Sequence, residues 1–456
     1  MKSIKLLSFI FLAFTSCSKI LEIDNPNTQL VGSSVFENDA TATGALISIY
    51  SQMENDGYVS SIVQLTGLSS DEFINYNNTA GAIDLAFNNL TSENAATYRF
   101  WSDSYKFIYQ ANAVIEALKK SKNVRSVIKE KLTAEAKFIR AFCHFYLVNL
   151  FGEVPIVTNV DYRTNSIISR SSINSVYEFI IGDLTDASSY LNDDYLTGNN
   201  SISNERVRPN LSGVNALLAK AYLYTGNYSK AEETATKIIS KSNTYSLLTD
   251  LNSVFLKNSK EAIWQLMVTA PLRNSRIGFD LILTSTPSSV SLRPSILNEF
   301  ENSDKRLNSW INSITIGSQR YYFPFKYKIG QNATSVIEYT MIFRLSEIYF
   351  IRSEARGRQS NLLGAYQDLN TIRVRAGLIP LAPTTLTDLL NQLNKERHLE
   401  LFAELGDRWL NLKRSNSINQ VMTSVKGSNW ATTDQLYPIP LQEILRNASL
   451  TQNPGY

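Results

Sequence analysis

The amino-acid sequence predicts a mainly α-helical fold built from pairs of packed helices, with long loops and a few short strands. Apolar residues recur at steps of three and four in several segments, which is the spacing of one helix face. Glycine or proline stands where the clearest of these patterns stop, as expected at helix ends. Stretches rich in Asn, Ser, Thr and Gly separate the patterns and are typical of loops.

The first element along the chain is an apolar run at residues 6–14, which follows two lysines and precedes two small residues. A membrane-spanning helix needs about 20 apolar residues, so this run is too short to cross a membrane. Charged, apolar and small residues in this order predict a secretory signal at residues 1–16. Cys17 follows directly and resembles the cysteine of a bacterial lipobox, so we expect it to be acylated and to begin the mature chain. Ordinary signal cleavage beside an incidental cysteine is the alternative.

Composition limits the classes of partner and of metal site. The chain has 44 basic and 41 acidic residues, and without the two lysines of the signal the basic residues number 42, so no overall positive field favours nucleic acid or an anionic membrane. The two cysteines are Cys17 and Cys143. If Cys17 carries lipid, neither a disulfide framework nor a cysteine-based metal site can form.

Two segments show the helix pattern most clearly. Residues 133–150 present one wide apolar stripe, which Gly152 follows. Residues 216–239 predict two helices that meet at a turn containing Gly226. Alanines on the second helix allow close packing, and a tyrosine and a glycine near the turn are tetratricopeptide-like features. Looser versions precede residue 133 and recur at residues 345–377, without the regular spacing of a repeat array.

Long loops are predicted between the helices. Four polar stretches have this character: residues 71–94, 192–209, 273–291 and 302–334. Loops of this length in a folded protein are usually functional or mobile. A short strand is predicted at residues 262–268.

Acidic residues near the C-terminus could suggest a catalytic site. Glu396, Glu400 and Glu404 stand at four-residue spacing on one predicted helix face. Glycosidase carboxylates normally face each other across a cleft from different elements, whereas this segment also carries many arginines and lysines, so we expect structural ion pairs and no catalytic residues. His144 and His398 are far apart and outside any zinc-binding motif, so we expect no metal site. Nucleotide-binding and nucleophile-elbow motifs are absent from the sequence, and we expect no cofactor.

Aromatic residues in the loops are the remaining candidates for binding chemistry. A sugar presents flat arrays of C–H groups and a rim of hydroxyls, so its site needs aromatic rings and polar side chains together. Two regions have this mixture, residues 69–78 and residues 308–325. The candidate ligand-binding residues are Tyr76, Asn77, Trp310, Tyr321 and Tyr322. Burial beneath the loops is the alternative for each of the rings.

Six blocks of sequence resemble the SusD/RagB family of outer-membrane nutrient-binding lipoproteins. They occur in the family's order and span nearly the whole mature chain: AEAKFIRAFCHFYLVNLFGEVPIV, LLAKAYLYTGNYSKA, MIFRLSEIYFIRSEA, LNTIRVRAGL, LNKERHLELFAELGDRWLNLKR and LYPIPLQEILRNASLTQNPGY. The resemblance implies a superhelix with four tetratricopeptide-like helix pairs and a ligand surface built from loops. It also implies a lipid anchor at Cys17 and a SusC-like TonB-dependent transporter as partner. We expect residues 17–240 and 241–456 to form two regions packed as one compact unit.

The resemblance and the residues together predict a binding protein. We expect a lipoprotein on the outer face of the outer membrane that binds a nutrient oligosaccharide and delivers it to the transporter without breaking a bond. Its contact with the membrane would be through the lipid anchor only, and nucleic acid is not expected as a partner. The same architecture binding peptides is the alternative, and a surface glycoside hydrolase or a purely structural scaffold are more distant ones.

Overall fold

Helices form most of the regular structure in residues 35–331 and 333–456, which the computed structural model describes. The first five are α1 (Asp39–Asn55), α2 (Tyr58–Ser69), α3 (Ala80–Phe87), α4 (Ala95–Lys120) and α5 (Ser126–Phe151). The next five are α6 (Tyr162–Asn165), α7 (Ile173–Ser188), α8 (Leu211–Tyr224), α9 (Tyr228–Ile239) and α10 (Arg276–Leu281). The C-terminal part contains α11 (Lys305–Trp310), α12 (Leu345–Arg358), α13 (Leu362–Arg375), α14 (Leu386–Leu401), α15 (Asp407–Arg414), α16 (Ile418–Lys426) and α17 (Leu441–Arg446).

The helix pairs that the sequence predicts are present. Helix α4 packs against α5, α8 against α9, and α12 against both α9 and α13. The turn between α8 and α9 contains Gly226 at a φ of 71°, a left-handed conformation that glycine adopts without a steric cost. Helix α5 ends at Gly152, whose φ is 76°. The prediction of a mainly helical fold is therefore confirmed.

Short strands form three antiparallel sheets within the described residues. The strands are β1 (Phe73–Asn75), β2 (Tyr195–Leu196), β3 (Ile202–Ser203), β4 (Ala262–Leu266), β5 (Val290–Leu292), β6 (Ile311–Ile316), β7 (Gln319–Pro324) and β8 (Thr340–Arg344). The largest sheet has the order β1-β5-β7-β6, and the other two pair β2 with β3 and β4 with β8. Strand β4 confirms the strand predicted at residues 262–268.

The segment at residues 302–334 differs from the predicted loop. It holds α11 and the β6–β7 hairpin, and a two-residue turn with Gly317 at a φ of 61° joins the two strands. A positive φ in so short a turn lets the two strands keep their natural twist. Ile311, Ile314 and Ile316 on β6 supply β-branched residues that favour a strand.

One continuous apolar core extends from Ala42 on α1 to Leu450 near the C-terminus. Helix α5 lies at its centre, where Phe138 and Phe142 meet the Trp264 ring edge to face at centroid distances of 4.9 and 5.7 Å. Trp264 lies on β4, so this contact joins the N-terminal helices to the C-terminal part of the chain. The division of the chain at residue 240 stays a prediction.

The acidic residues near the C-terminus form buried ion pairs, as the sequence predicts. Glu400 accepts hydrogen bonds from Arg344 at 2.6 Å and Arg306 at 3.3 Å, and it also pairs with Arg375. Glu396 pairs with Arg306 at 2.7 Å. These arginines come from the end of β8 and from α11 and α13, whereas the sequence suggested basic residues of the same segment. The network therefore holds separate elements together inside the core.

Candidate ligand-binding site

The four-stranded sheet brings the two predicted ligand regions together. Strand β5 pairs with both β1 and β7, so the loop after β1 lies beside β7. The rings of Tyr76 and Tyr321 meet edge to face with their centroids 5.7 Å apart. Tyr76 N–H donates to the carbonyl of Ser289 at 2.8 Å, and Ser291 Oγ donates to the Tyr76 hydroxyl at 3.3 Å. Both tyrosines are half-buried and keep part of their surface open to solvent.

Tyr322 lies apart from this pair. Neighbouring residues of a strand point to opposite faces of the sheet, so Tyr322 and Tyr321 occupy different faces. Tyr322 packs against the main apolar core, and the Arg320 guanidinium lies 5.1 Å from the centroid of its ring. The structure therefore does not bring Tyr322 together with Tyr76 and Tyr321.

Trp310, a candidate ligand-binding residue in the sequence analysis, is buried, which is the alternative that the sequence left open. It is the last residue of α11, and its side chain is completely buried. Its indole N–H donates to the carbonyl of Leu251 at 3.0 Å. Lys326, Arg344 and Arg375 carry charged groups 5.0, 5.6 and 5.4 Å from the ring centroid. No face of this ring is open to a ligand in the described structure, because the ring fills the core between the helix and the ion pairs.

A cleft of about 500 Å³, which we call the α2–α3 cleft, adjoins the loop after β1. Asn77 and Asn75, which flank Tyr76 in the sequence, line this cleft, and so does Ser289. Its apolar surface comes from Leu65, Leu68, Leu85 and Phe100, and further polar groups come from Gln64, Arg276 and Asp280. The cleft thus joins an apolar floor to a polar rim.

Hydrogen bonds hold the polar groups of the cleft in place. Arg276 Nε donates to both carboxylate oxygens of Asp280 at 2.9 Å. Ser60 Oγ donates to the same carboxylate at 2.6 Å, and Gln64 does so at 3.4 Å. These side chains need little reordering when a ligand arrives, which reduces the entropy cost of binding.

The amide side chains in the loop after β1 are positioned in the same way. Asn75 Nδ2 donates to the Asn77 carbonyl at 2.8 Å, and Asn75 Oδ1 accepts from Asn77 N–H at 3.0 Å. Asn77 Oδ1 accepts from Thr79 N–H at 2.9 Å. The loop is therefore a defined wall of the cleft, with Asn77 at the position that the sequence analysis named.

Sequence reasoning missed Gln64, Arg276 and Asp280. Gln64 lies on α2 and the other two lie on α10, more than 200 residues later in the chain. The available signal was the polar stretch at residues 273–291, which was predicted to be a long loop of the kind that is usually functional or mobile. It holds α10, which brings Arg276 and Asp280 to Gln64 on α2, and most of β5, which Ser289 directly precedes.

Among the described residues, His144, His398 and Cys143 do not line the cleft. His144 is buried with its Nδ1 2.8 Å from the Arg140 carbonyl oxygen, and burial lowers its pKa to about 4. Burial raises the pKa of the Cys143 thiol to about 12. In residues 35–331 and 333–456 no cluster of His, Cys, Asp and Glu has the arrangement of a metal site. The predicted lipidation site, Cys17, lies outside the described residues.

No helix within residues 35–331 and 333–456 combines the length and the apolar character that a membrane crossing requires.

Comparison with known proteins shows similarity over nearly the whole chain. Residues 21–223 match a family model described as SusD-like, "Starch-binding associating with outer membrane", and residues 293–456 match the model of the SusD family. The SusD-like protein P2 of Formosa agariphila is 26% identical, and the match covers 100% of both chains. Two solved structures have the same fold. A SusD superfamily protein of Bacteroides vulgatus has a TM-score of 0.81 at 20% identity, covering 92% of this chain and 100% of that one. A laminarin-binding SusD-like protein has a TM-score of 0.78 at 23% identity, again covering 92% of this chain and 100% of that one.

Proposed function

The chain belongs to the SusD family, and on this premise we propose that it binds a nutrient oligosaccharide on the cell surface and delivers it to a TonB-dependent transporter. The family is one of carbohydrate-binding proteins associated with the outer membrane. Lipid attached to Cys17 would anchor the protein, and a SusC-like transporter would be its partner in the membrane. A solved relative that binds laminarin supports a glycan as the ligand.

The observation that carries the proposal is the tyrosine pair beside the α2–α3 cleft. Tyr76 and Tyr321 offer partly exposed rings 5.7 Å apart, and Asn75 and Asn77, which flank Tyr76 in the sequence, line the cleft wall. Pyranose rings stack their C–H faces on aromatic rings and place hydroxyls where amide and carboxylate groups can bind them. Aromatic and polar groups therefore meet here in the combination that a sugar needs.

The charges of the cleft favour an uncharged glycan. Arg276 and Asp280 pair with each other, so they present one charge of each sign to the cleft. At the rim Arg99 is accompanied by Asp103 at 3.6 Å, and Asp56 by Lys106 at 2.9 Å. Since no sign is in excess, neither an acidic nor a basic ligand would gain a net Coulomb attraction. Paired charges still provide both donors and acceptors for hydroxyl groups.

In this proposal the protein binds the glycan without hydrolysing it. Glu396 and Glu400 are fully buried in ion pairs with arginines. A glycosidase needs two carboxyl groups that flank the scissile bond, and these side chains have no open cleft between them. The acidic segment therefore supports a structural role.

A glycan array on the soluble protein that lacks residues 1–17 tests the proposal, followed by calorimetric titration of the best ligand. Tyr76→Ala and Tyr321→Ala should each weaken binding by about 2 kcal/mol, or roughly thirty-fold, while the melting temperature changes little. Tyr190→Ala is the matched control, because Tyr190 is 44% exposed and lies after α7, away from the cleft.

Three results would contradict the proposal. The array would show no glycan bound, or both tyrosine variants would bind as tightly as the control. Shortened glycans after long incubation would indicate a hydrolase. A parallel panel of peptides tests a peptide as the alternative ligand. Peptide binding that depends on Tyr321 would assign a peptide, in place of a glycan, to this site.

A further inference from the structure

A second cleft, which we call the hairpin cleft, lies between α1 and the β2–β3 hairpin and has a volume of about 390 Å³. In the described part of the chain it shares no lining residue with the α2–α3 cleft. Its walls are mostly apolar: Ile47 comes from α1, Leu196 from β2, and Val207 and Met267 from the segments beyond. It is therefore a separate site with a different chemical character.

Hydrogen bonds fix the walls of the hairpin cleft. Asn200, in the turn of the hairpin, donates from Nδ2 to Thr43 Oγ1 on α1 at 2.8 Å. Arg208 donates to the carbonyl of Thr197 at 2.6 Å and to Asn200 Oδ1 at 3.0 Å. The hairpin is thus tied to both neighbouring segments, and the cleft between them is preformed.

The positive charge at the base of the cleft is neutralised within the protein. Arg208 is buried and forms a salt bridge with Glu135. Tyr50, another lining residue, donates its hydroxyl to Glu135 Oε2 at 3.1 Å. This arginine therefore has its counter-charge already and does not attract an anionic ligand.

Glu205 lies on the cleft wall, and its carboxylate can accept a further hydrogen bond. Its Oε2 atom is buried and has no hydrogen-bond partner among the described residues. The same part of the chain places no lysine or arginine in an ion pair with it. Lys257, an exposed residue, has its ammonium 6.0 Å from the centroid of the Tyr339 ring. Burial and the adjacent Glu205 carboxylate raise the pKa of Tyr339 to about 12. A buried carboxylate oxygen without a donor costs free energy, which an incoming cation recovers.

We propose that the hairpin cleft binds a lysine or arginine side chain of a peptide, with Glu205 as the anchor for its charged end. A basic side chain has an apolar stem and a cationic head, and the cleft has apolar walls and one carboxylate without a counter-charge. With Arg208 paired to Glu135, the lining carries a net negative charge from Glu205. A neutral sugar would leave the apolar walls poorly matched, so this ligand class differs from that of the α2–α3 cleft.

The test uses the mature protein and two blocked tripeptides, acetyl-Ala-Lys-Ala-amide and acetyl-Ala-Met-Ala-amide. We expect the lysine peptide to bind at least ten-fold more tightly than the methionine peptide, and Glu205→Gln to remove this preference. Glu178→Gln is the matched control, because Glu178 is exposed on α7, away from both clefts. Met267→Ala provides a second variant, since Met267 is 39% exposed, and it should weaken both peptides without unfolding the protein.

Several outcomes would overturn this assignment. The lysine peptide would fail to bind the native protein at millimolar concentration, or it would bind Glu205→Gln as tightly as the native protein. Weaker peptide binding in Tyr321→Ala would place the peptide in the α2–α3 cleft instead. A glucosamine trimer that binds more tightly than the peptide and depends on Glu205 would show that the cleft takes an amino sugar.

Discussion

Replacing Trp310 with alanine should strongly destabilise the protein and leave the affinity of the folded protein for its ligand unchanged. Removing a buried tryptophan typically costs about 3–5 kcal/mol in transfer and cavity free energy. The carbonyl of Leu251 also loses its donor, which adds about 1 kcal/mol. Three cations from Lys326, Arg344 and Arg375 lose the face of an aromatic ring, and each such contact is worth about 1 kcal/mol or more in a desolvated site. Because these contributions overlap, we expect a total loss near 5 kcal/mol.

Lys326 provides an independent reason for a large effect. Burial lowers the pKa of its ammonium group to about 8, so the charged form depends on its remaining contacts. These include the ring of Trp310 and the carbonyls of Glu400 and Phe402, which accept from Lys326 Nζ at 2.7 and 2.8 Å. Loss of the ring removes one favourable contact of this cation and creates a cavity beside it.

Urea unfolding followed by circular dichroism measures the loss, and calorimetric titration measures the glycan affinity of the folded fraction. Trp310→Phe separates the contributions, since it keeps most of the ring and loses the N–H, so it should cost about 1–2 kcal/mol. Trp430→Ala is the control for a half-buried tryptophan, whose N–H donates to Asn419 at 3.1 Å, and it should cost less than Trp310→Ala. A loss below about 1 kcal/mol in Trp310→Ala, together with weaker glycan binding, would refute the core position of this ring.

Three further predictions concern buried carboxylates and the two cysteines. Burial raises the pKa of Glu54 from 4.5 to about 7, so between these pH values the native protein binds a proton that the unfolded chain has released. Relative to Glu54→Gln, the free energy of unfolding should therefore fall by about 3 kcal/mol as the pH rises from 4.5 to 7. Equal pH profiles of the two proteins would contradict this. For Glu400, burial opposes ionisation, but the three neighbouring arginines outweigh it and hold the pKa well below its usual range. Glu400→Gln should lower the free energy of unfolding in urea by about 3–5 kcal/mol and leave the glycan affinity of the folded fraction native. A stable variant that no longer binds the glycan would assign Glu400 to the ligand site. Cys17→Ala should move the protein from the membrane fraction to the soluble fraction, and unchanged partition into detergent would contradict lipid attachment there. Cys143 should resist a thiol reagent until the protein unfolds, and fast labelling of the native protein would contradict its burial.

Elements with a local apolar pattern could be predicted from the sequence. The helix pair α8–α9 follows from alanine and leucine spacing around Gly226, and α5 follows from the apolar stripe that Gly152 ends. The strands of the four-stranded sheet were harder to predict, because the β6–β7 hairpin lies in a polar segment and its pairing with β5 joins distant parts of the chain. Asn77 was found as a cleft residue, but its partners on α2 and α10 were not, since no local pattern marks them.

Trp310 shows why the positions of some candidate residues could be determined only from the tertiary structure. In the sequence it stands beside Asn308, Asn312 and Ser313, and these polar neighbours suggested a surface loop. The polar residues that follow it belong to β6, while the ring turns into the core against groups from β8 and α13.

The sequence by itself determined the helical class, the family resemblance and the expected anchor at Cys17, because apolar periodicity and short motifs are properties of neighbouring residues. Only the tertiary structure decided which rings are exposed, which arginines pair with Glu400, and which helices build the α2–α3 cleft. Those properties depend on contacts between different elements of the chain, whose residues are 25 positions apart for Arg375 and Glu400 and 216 positions apart for Gln64 and Asp280. Such contacts arise from the packing of whole elements, which minimises exposed apolar area across the entire chain and leaves no signature in a local window of sequence.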